Sequence, residues 1–484
     1  MKKLLLKKRD LNAPKPGREL PFNGNAAYLP YEQGEFTSIY DSAADELRNK
    51  ILSLGDSAPK TDTVYYVSYK GNDENDGLSP ENAWYSTARL EDIKTRSTVL
   101  FERGGVYRGA FKLKSNVSYG AYGSGPKPCI YGSLQNYAEP ELWKQESENI
   151  WSITIEGSKD IGSVTFDDGI ASALRVMNRE ELDRDYLYYY ENGTAYLYFS
   201  TGNPAEYFSD IEIMDIAFAP NVMIGGHAPH DITIENLCLK YGNFGIQMGG
   251  MTRNITIRGC EIGYIGGCLV PSGIVRFGNG VEIWAPSENI VIEDCWVYQC
   301  YDTGITHQCS EDGWSMNNIR FTGNLIEFCQ YAIESYNGVS YMKNILYNKN
   351  ILRFSGYQVY DPKKRHGSDS SFTSLICTPW KYKKHENFVI EDNIFDTSYG
   401  YIIRGAYFNL AGGMVCRNNS YLQQTGLNTY LFDEDAYKIV PSVAKLEDGV
   451  VYTALNQKEL EEGVVLIDIS PKSVVFQNKK EVER

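Results

Sequence analysis

A chain of 484 residues is long enough to bury a large core, and its net charge of −15 argues against nucleic acid or an anionic membrane as a partner. No apolar run approaches transmembrane length. The 37 tyrosines, and 44 glycines against 18 prolines, sit in β-branched stretches with little helical periodicity; this points to an all-β protein and leaves a sugar polymer open as a partner.

The opening MKKLLLKKRD holds only three consecutive leucines before Lys7, Lys8 and Arg9, far short of a signal-peptide core, so a cytoplasmic location is expected. Residues 1–60 read as an extension, and SIYDSAADELRNKILSL predicts one helix placed to cap the apolar end of the body. Residues 61–135 are strand–turn–strand and form the first coils. Residues 136–215 break that rhythm: NIWSITI and DYLYYYENGTAYLYFSTGNP alternate like antiparallel hairpins, with Glu191-Asn192-Gly193 as a turn. They are read as a small inserted antiparallel β module.

Residues 216–425 repeat. HDITIENLCLKYGNFGIQMGG, TRNITIRGCEIGYIGGC, ENIVIEDCWVYQCYDTGITHQ, NNIRFTGNLIEFCQYAIESYN and ENFVIEDNIFDTSYGYIIRG each open on Asn or Asp, run through a strand, turn, and run through a second. Aligning them puts Cys260, Cys295, Asn324, Asn350, Asn393 and Asn419 in one column, with gaps of 35, 29, 26, 43 and 26 residues. Constant phase with variable gaps is the pattern of stacked coils with loops of different length, a right-handed parallel β-helix. Asn at a bend can adopt the left-handed conformation and bond its neighbours above and below. Cys260 and Cys295, where other coils carry Asn, read as buried structural thiols, and the ten cysteines show no zinc or disulfide spacing. Residues 426–484 are mixed and charged and read as a C-terminal cap and tail.

Strand alternation then locates the candidate chemistry. If Ile246, Val281, Ile305, Ile333 and Ile402 point inward, the next column, Gln247, Glu282, Thr306, Glu334 and Ile403, points outward. Asn243, Asp302 and Gln330 share another column four residues earlier. Glu282 and Glu334 lie two coils apart, about 9.6 Å between backbones, with Asp302 on the coil between. Three acids on neighbouring coils can supply a protonated acid and an ionised nucleophile or base, as glycoside cleavage requires. Asp302, Glu334 and Glu282 are the catalytic candidates. Trp284 and Tyr336 flank them as sugar-stacking rings, and His307, Gln308, Gln247, Arg404 and Trp380 complete the expected substrate contacts. A purely structural role for His307 is the alternative.

YYVSYKGNDENDGLSPENAW and VLFERGGVYRG resemble the opening of bacterial β-helix proteins of the pectate-lyase-like superfamily. YGNFG, FGNGVEIW, YDTGITHQ and CQYAIESYN are most similar to the central coils of glycoside hydrolase family 141, a likeness covering residues 63–425. The resemblance implies a glycosidase, retaining or inverting, on a plant- or host-derived oligosaccharide, with no cofactor. A polysaccharide lyase or uronate epimerase is the enzymatic alternative; there the three acids would bind calcium and Arg404 or Lys381 would be the base. A non-catalytic glycan-binding solenoid is the other.

Overall fold

The structure is a computed structural model. It describes residues 8, 38, 40–59, 61–215, 222–269, 276–309, 311–337, 341–359, 373–378, 384–399, 401–405, 414–417, 419–424, 465–470 and 473–477. Three sheets run along the body, and within each the successive coils pair in parallel. The first wall stacks ten strands, from Thr63–Val67 to Met414–Arg417. The second begins with Val106–Arg108 and Cys129–Tyr131 and ends with Ser473–Gln477 and Val465–Ser470, added antiparallel. The third carries Phe111–Lys112, Val222–His227, Phe244–Gly249, Val281–Trp284, Thr303–Cys309, Tyr331–Asn337, Ser374–Thr378 and Tyr401–Gly405.

The core is what the alternation demands. Ile246, Val281, Ile305, Ile333 and Ile376 of the third wall meet Ile255, Ile290, Ile319 and Ile345 of the first in one continuous cluster. Each such side chain contributes roughly 1.5–3 kcal/mol by leaving water.

The bends follow equally regular chemistry. Asn324, Asn350, Asn393 and Asn419 form a buried ladder, the first three side-chain amides each donating to the next side-chain carbonyl at 2.9–3.0 Å. The same amides bond the backbone carbonyls of Ile292, Phe321, Tyr347 and Ile390. The left-handed residue expected within this column lies one position earlier instead, at Gly259, Asp294, Gly323, Lys349 and Asp392. The ladder residue needs its side chain turned into the bend, so its neighbour takes the strained backbone. A second, exposed ladder opens the first-wall strands: Asp231, Asn254, Asn289, Asn318, Asn344 and Asn387 all have φ between 54° and 57°. Asn and Asp tolerate that region because their short polar side chains bond locally.

The helix Asp41–Leu52 does not cap the end of the solenoid. It lies along the second wall, where Ala44 and Ile51 pack with Trp296, Tyr298 and Leu325. Its basic residues explain the placement: Arg48 reaches Glu327 at 2.8 Å and Lys50 reaches Asp294 at 2.7 Å. The inserted module is a seven-stranded sheet, Lys144–Gln145 to Ile211–Asp215, antiparallel except for one pair. Asn192 and Gly193, with φ of 50° and 80°, make its predicted turn. Most of 426–484 lies outside the described residues. Among the described residues no helix is long and apolar enough to cross a membrane.

The two ladders make opposite predictions. Asn350→Ala orphans the Phe321 carbonyl and cuts the links to Asn324 and Asn393, so it should cost about 3 kcal/mol in urea unfolding. Asn289→Gly, half-buried and at a φ that glycine accepts freely, should cost less than about 1 kcal/mol.

Candidate active site

Register along the third wall decides which side chains share a face. Gln247, Glu282, Thr306, Glu334, Cys377 and Arg404 are paired coil to coil with no slip. Trp284, Gln308 and Tyr336 form the next column on that face. Two sequence expectations change. Ser374–Thr378 supplies a rung hidden in the 43-residue gap, so Cys377 stands beside Glu334. Ile403, not Ile402, is in register with the inward isoleucines, which puts Arg404 in the Glu334 column; Ile402 is buried one position earlier. Only the backbone of Arg404 is described, and Trp380 and Lys381 lie outside the described residues.

The outward column is not solvated. Glu282 is 3% exposed, Asp302 2% and Glu334 6%. Glu282 accepts from Gln247 Nε2 at 3.0 Å and from Trp284 Nε1 at 2.6 Å, and it also bonds the side chain of Asn279. Burial pushes its carboxyl up; these three hydrogen bonds pull it down, and the charge of Asp302 adds to the rise, so the net direction is upward.

Asp302 and Glu334 converge on one hydroxyl. Thr303 Oγ1 lies 3.4 Å from Asp302 Oδ1 and 3.4 Å from Glu334 Oε2, while Thr306 Oγ1 lies 3.3 Å from the same Glu334 oxygen. Thr303 has a single proton to donate, so it satisfies one carboxyl at a time. Trp284 and Tyr336 are half-buried at the rim, and Gln308 is buried between them.

His307 is corrected. It follows Thr306, so alternation turns it inward, in register with Ile283 and Ser335. It is fully buried against Phe321, Tyr347 and Phe388, with Nε2 bonded to the Tyr347 hydroxyl and Nδ1 3.2 Å from Met316 sulfur. It belongs to the core and faces no substrate. Asn279 and Thr303 were missed, and Thr306 was placed in the outward column without a role: Asn279 sits in Gly-Asn-Gly, which reads as a turn, yet its side chain accepts from the Thr303 amide at 3.0 Å and bonds Glu282. Among the described residues no three His, Cys, Asp or Glu side chains converge as a metal site.

Residues 222–352 match the family model described as a right handed beta helix region. The fold is a right-handed parallel β-helix. No curated protein sequence matches the chain. Among solved structures, it is similar to a glycoside hydrolase at 11% identity, covering 75% of this chain and 94% of that one with a TM-score of 0.42. It is also similar to pectate lyase Pel9A at 12% identity, covering 83% and 84% with a TM-score of 0.42. A lacto-N-biosidase of family GH136 from Eubacterium ramulus matches at 15% identity, covering 79% and 70% with a TM-score of 0.33. Likeness at this level assigns no chemistry.

The buried histidine gives a pH prediction. Burial lowers the pKa of His307 from 6.5 to about 3, so the fold holds it neutral. Its stability contribution is present above pH 6.5 and is lost as pH falls toward 3, at up to about 1.4 kcal/mol per pH unit. Wild type should therefore lose stability faster than His307→Leu between pH 7 and pH 4, so the Tm of wild type falls relative to that of the variant. A Tm of wild type that rises relative to the variant on acidification would contradict the assignment.

Proposed function

We propose that this protein is a glycoside hydrolase in which Asp302 and Glu334 are the catalytic pair, acting on a plant- or host-derived oligosaccharide. The observation that carries this reading is the shared Thr303 hydroxyl, which brings carboxylates from adjacent coils to within 3.4 Å of one atom. Two acids so crowded release their protons in separate steps, leaving an acid beside an anion. The acid protonates the leaving glycosidic oxygen; the anion attacks the anomeric carbon or activates water against it. Their oxygens are no further apart than twice the distance to Thr303, which favours the retaining geometry of about 5 Å over the inverting one of about 6.5–9.5 Å. A relation to family 141 is part of this proposal.

Glu282 has a different role. Gln247 and Trp284 already occupy its two oxygens, which suits it to holding a sugar hydroxyl and shaping the local field better than to moving a proton. Trp284 and Tyr336, two coils apart on the outward face, offer ring faces to the sugar.

A panel of aryl glycosides and plant or mucin oligosaccharides tests the reading. Asp302→Asn and Glu334→Gln should each lower kcat by about 10³-fold, whereas Glu282→Gln should mainly raise KM and keep kcat within about tenfold. The product should retain its anomeric configuration. An unsaturated, ultraviolet-absorbing product that disappears with chelator would identify a lyase and end the proposal, and equal turnover by all four proteins would remove the site.

A further inference from the structure

The inserted module leaves the solenoid between Tyr131 and Val222, at the corner joining the second wall to the third. Asp302 sits at that corner three coils on, between the strands Trp296–Cys300 and Thr303–Cys309. On the coil just before Asp302, the same corner grows a hairpin whose strands are Cys268–Leu269 and Arg276–Phe277. Module, hairpin and site corner are joined by a series of direct holds.

The first hold joins module and hairpin. Asp160 makes a two-pronged bond with Arg175 at 2.6 and 2.8 Å, and its Oδ2 also accepts the Leu269 amide at 2.6 Å. The backbones touch here: a Cβ on Gly162 would come within 2.6 Å of both the Gly266 carbonyl oxygen and the Cys268 nitrogen. The second hold is Arg276, which is 3% exposed. Its guanidinium bonds the Gly267 carbonyl in the hairpin and the Gly162 carbonyl in the module, and it lies 4.4 Å over the ring of Tyr301, the residue before Asp302. The third hold is the hairpin's exit. The Gly278 carbonyl accepts the Asp302 amide at 3.1 Å, and the Asn279 side chain accepts the Thr303 amide at 3.0 Å.

A buried guanidinium set on two carbonyls and a ring, with no ion pair among the described residues, is an expensive way to pin a loop. Its position gives the expense a purpose. We propose that Arg276 is a positioning residue: it clamps the inserted module to the hairpin and to Tyr301, and so fixes Asp302 and the Thr303 hydroxyl relative to Glu334. The module is then a brace for the catalytic corner. This rests on the hydrolase reading for its consequence in rate, but the mechanical claim stands apart from it.

The test uses the full chain with Arg276→Lys, which keeps the charge and loses the planar fork, and Asp160→Asn, which loosens the same hairpin from the module side. Hydrogen exchange is followed in peptides covering 299–306 and, as a distant control, 386–395. The clamp predicts exchange about tenfold faster at 299–306 in both variants and unchanged exchange at 386–395. On whichever glycoside the wild type cleaves, kcat should fall by about 10²-fold with KM held within about twofold. Unchanged exchange at 299–306 in a folded variant overturns the clamp, whatever the activity. Faster exchange there with kcat intact overturns the positioning role. A wild type that cleaves no glycoside, while exchange rises as expected, sinks the hydrolase reading and leaves the clamp standing.

Discussion

Hydrogen bonding between coils without slip is the constraint on which the rest depends. From Phe244–Gly249 to Tyr401–Gly405 each third-wall strand pairs in register with the next, so side chains at one position of the repeat line up at the spacing of the strands. A one-residue slip would send Glu282 and Glu334 into a core of isoleucines and bring Ile283 out. Burying ionised carboxylates there would cost far more than any single coil gains from packing. Register is thus held by the same free energy that holds the core, and the geometry of the acids comes with it.

The same constraint explains why polar side chains are tolerated inside. Asn324, Asn350, Asn393 and Asn419 are buried, but each finds the next ladder member at hydrogen-bond distance and a backbone carbonyl besides. The ladder stops where Cys295 replaces Asn: its backbone amide still donates to the Asn324 side-chain carbonyl, while its thiol turns to the Ile257 and Glu293 carbonyls. His307 is a variation on this theme, a polar ring made acceptable by the Tyr347 hydroxyl and stacked aromatic neighbours.

Much of this could be read from the residues, and the failures have physical causes. The Cys260–Asn419 column and the Gln247–Glu334 column were legible because period-two alternation and a fixed bend leave few other phases. Applied strictly, the alternation that turns Thr306 outward also turns His307 inward; treating His307 as a site residue ignored it. The rung Ser374–Thr378 was illegible because it lies within a long polar stretch with no Asn-started strand of its own wall to announce it. Missing it shifted the next coil by one residue and misplaced Arg404. Burial of the outward acids was beyond alternation altogether, since alternation gives direction and says nothing of what covers a face.

Three excursions share one corner. The inserted module, the Cys268–Phe277 hairpin and the segment after Ser355 all leave between the second and third walls, and Gln358 of the last donates to Gln330, one coil beyond Asp302. Among the described residues the bends between the first and second walls are tight and spend their polar groups on ladders. A solenoid is stiff along its walls because every strand is held on both sides, so a corner where the chain can depart without breaking a pair is where side chains can be surrounded. Asp302 sits at that corner, and Glu282 on the adjoining wall registers burial: its carboxyl is pushed upward even with three donors pulling it down. The candidate acids are gathered where rigid register and added loops coincide.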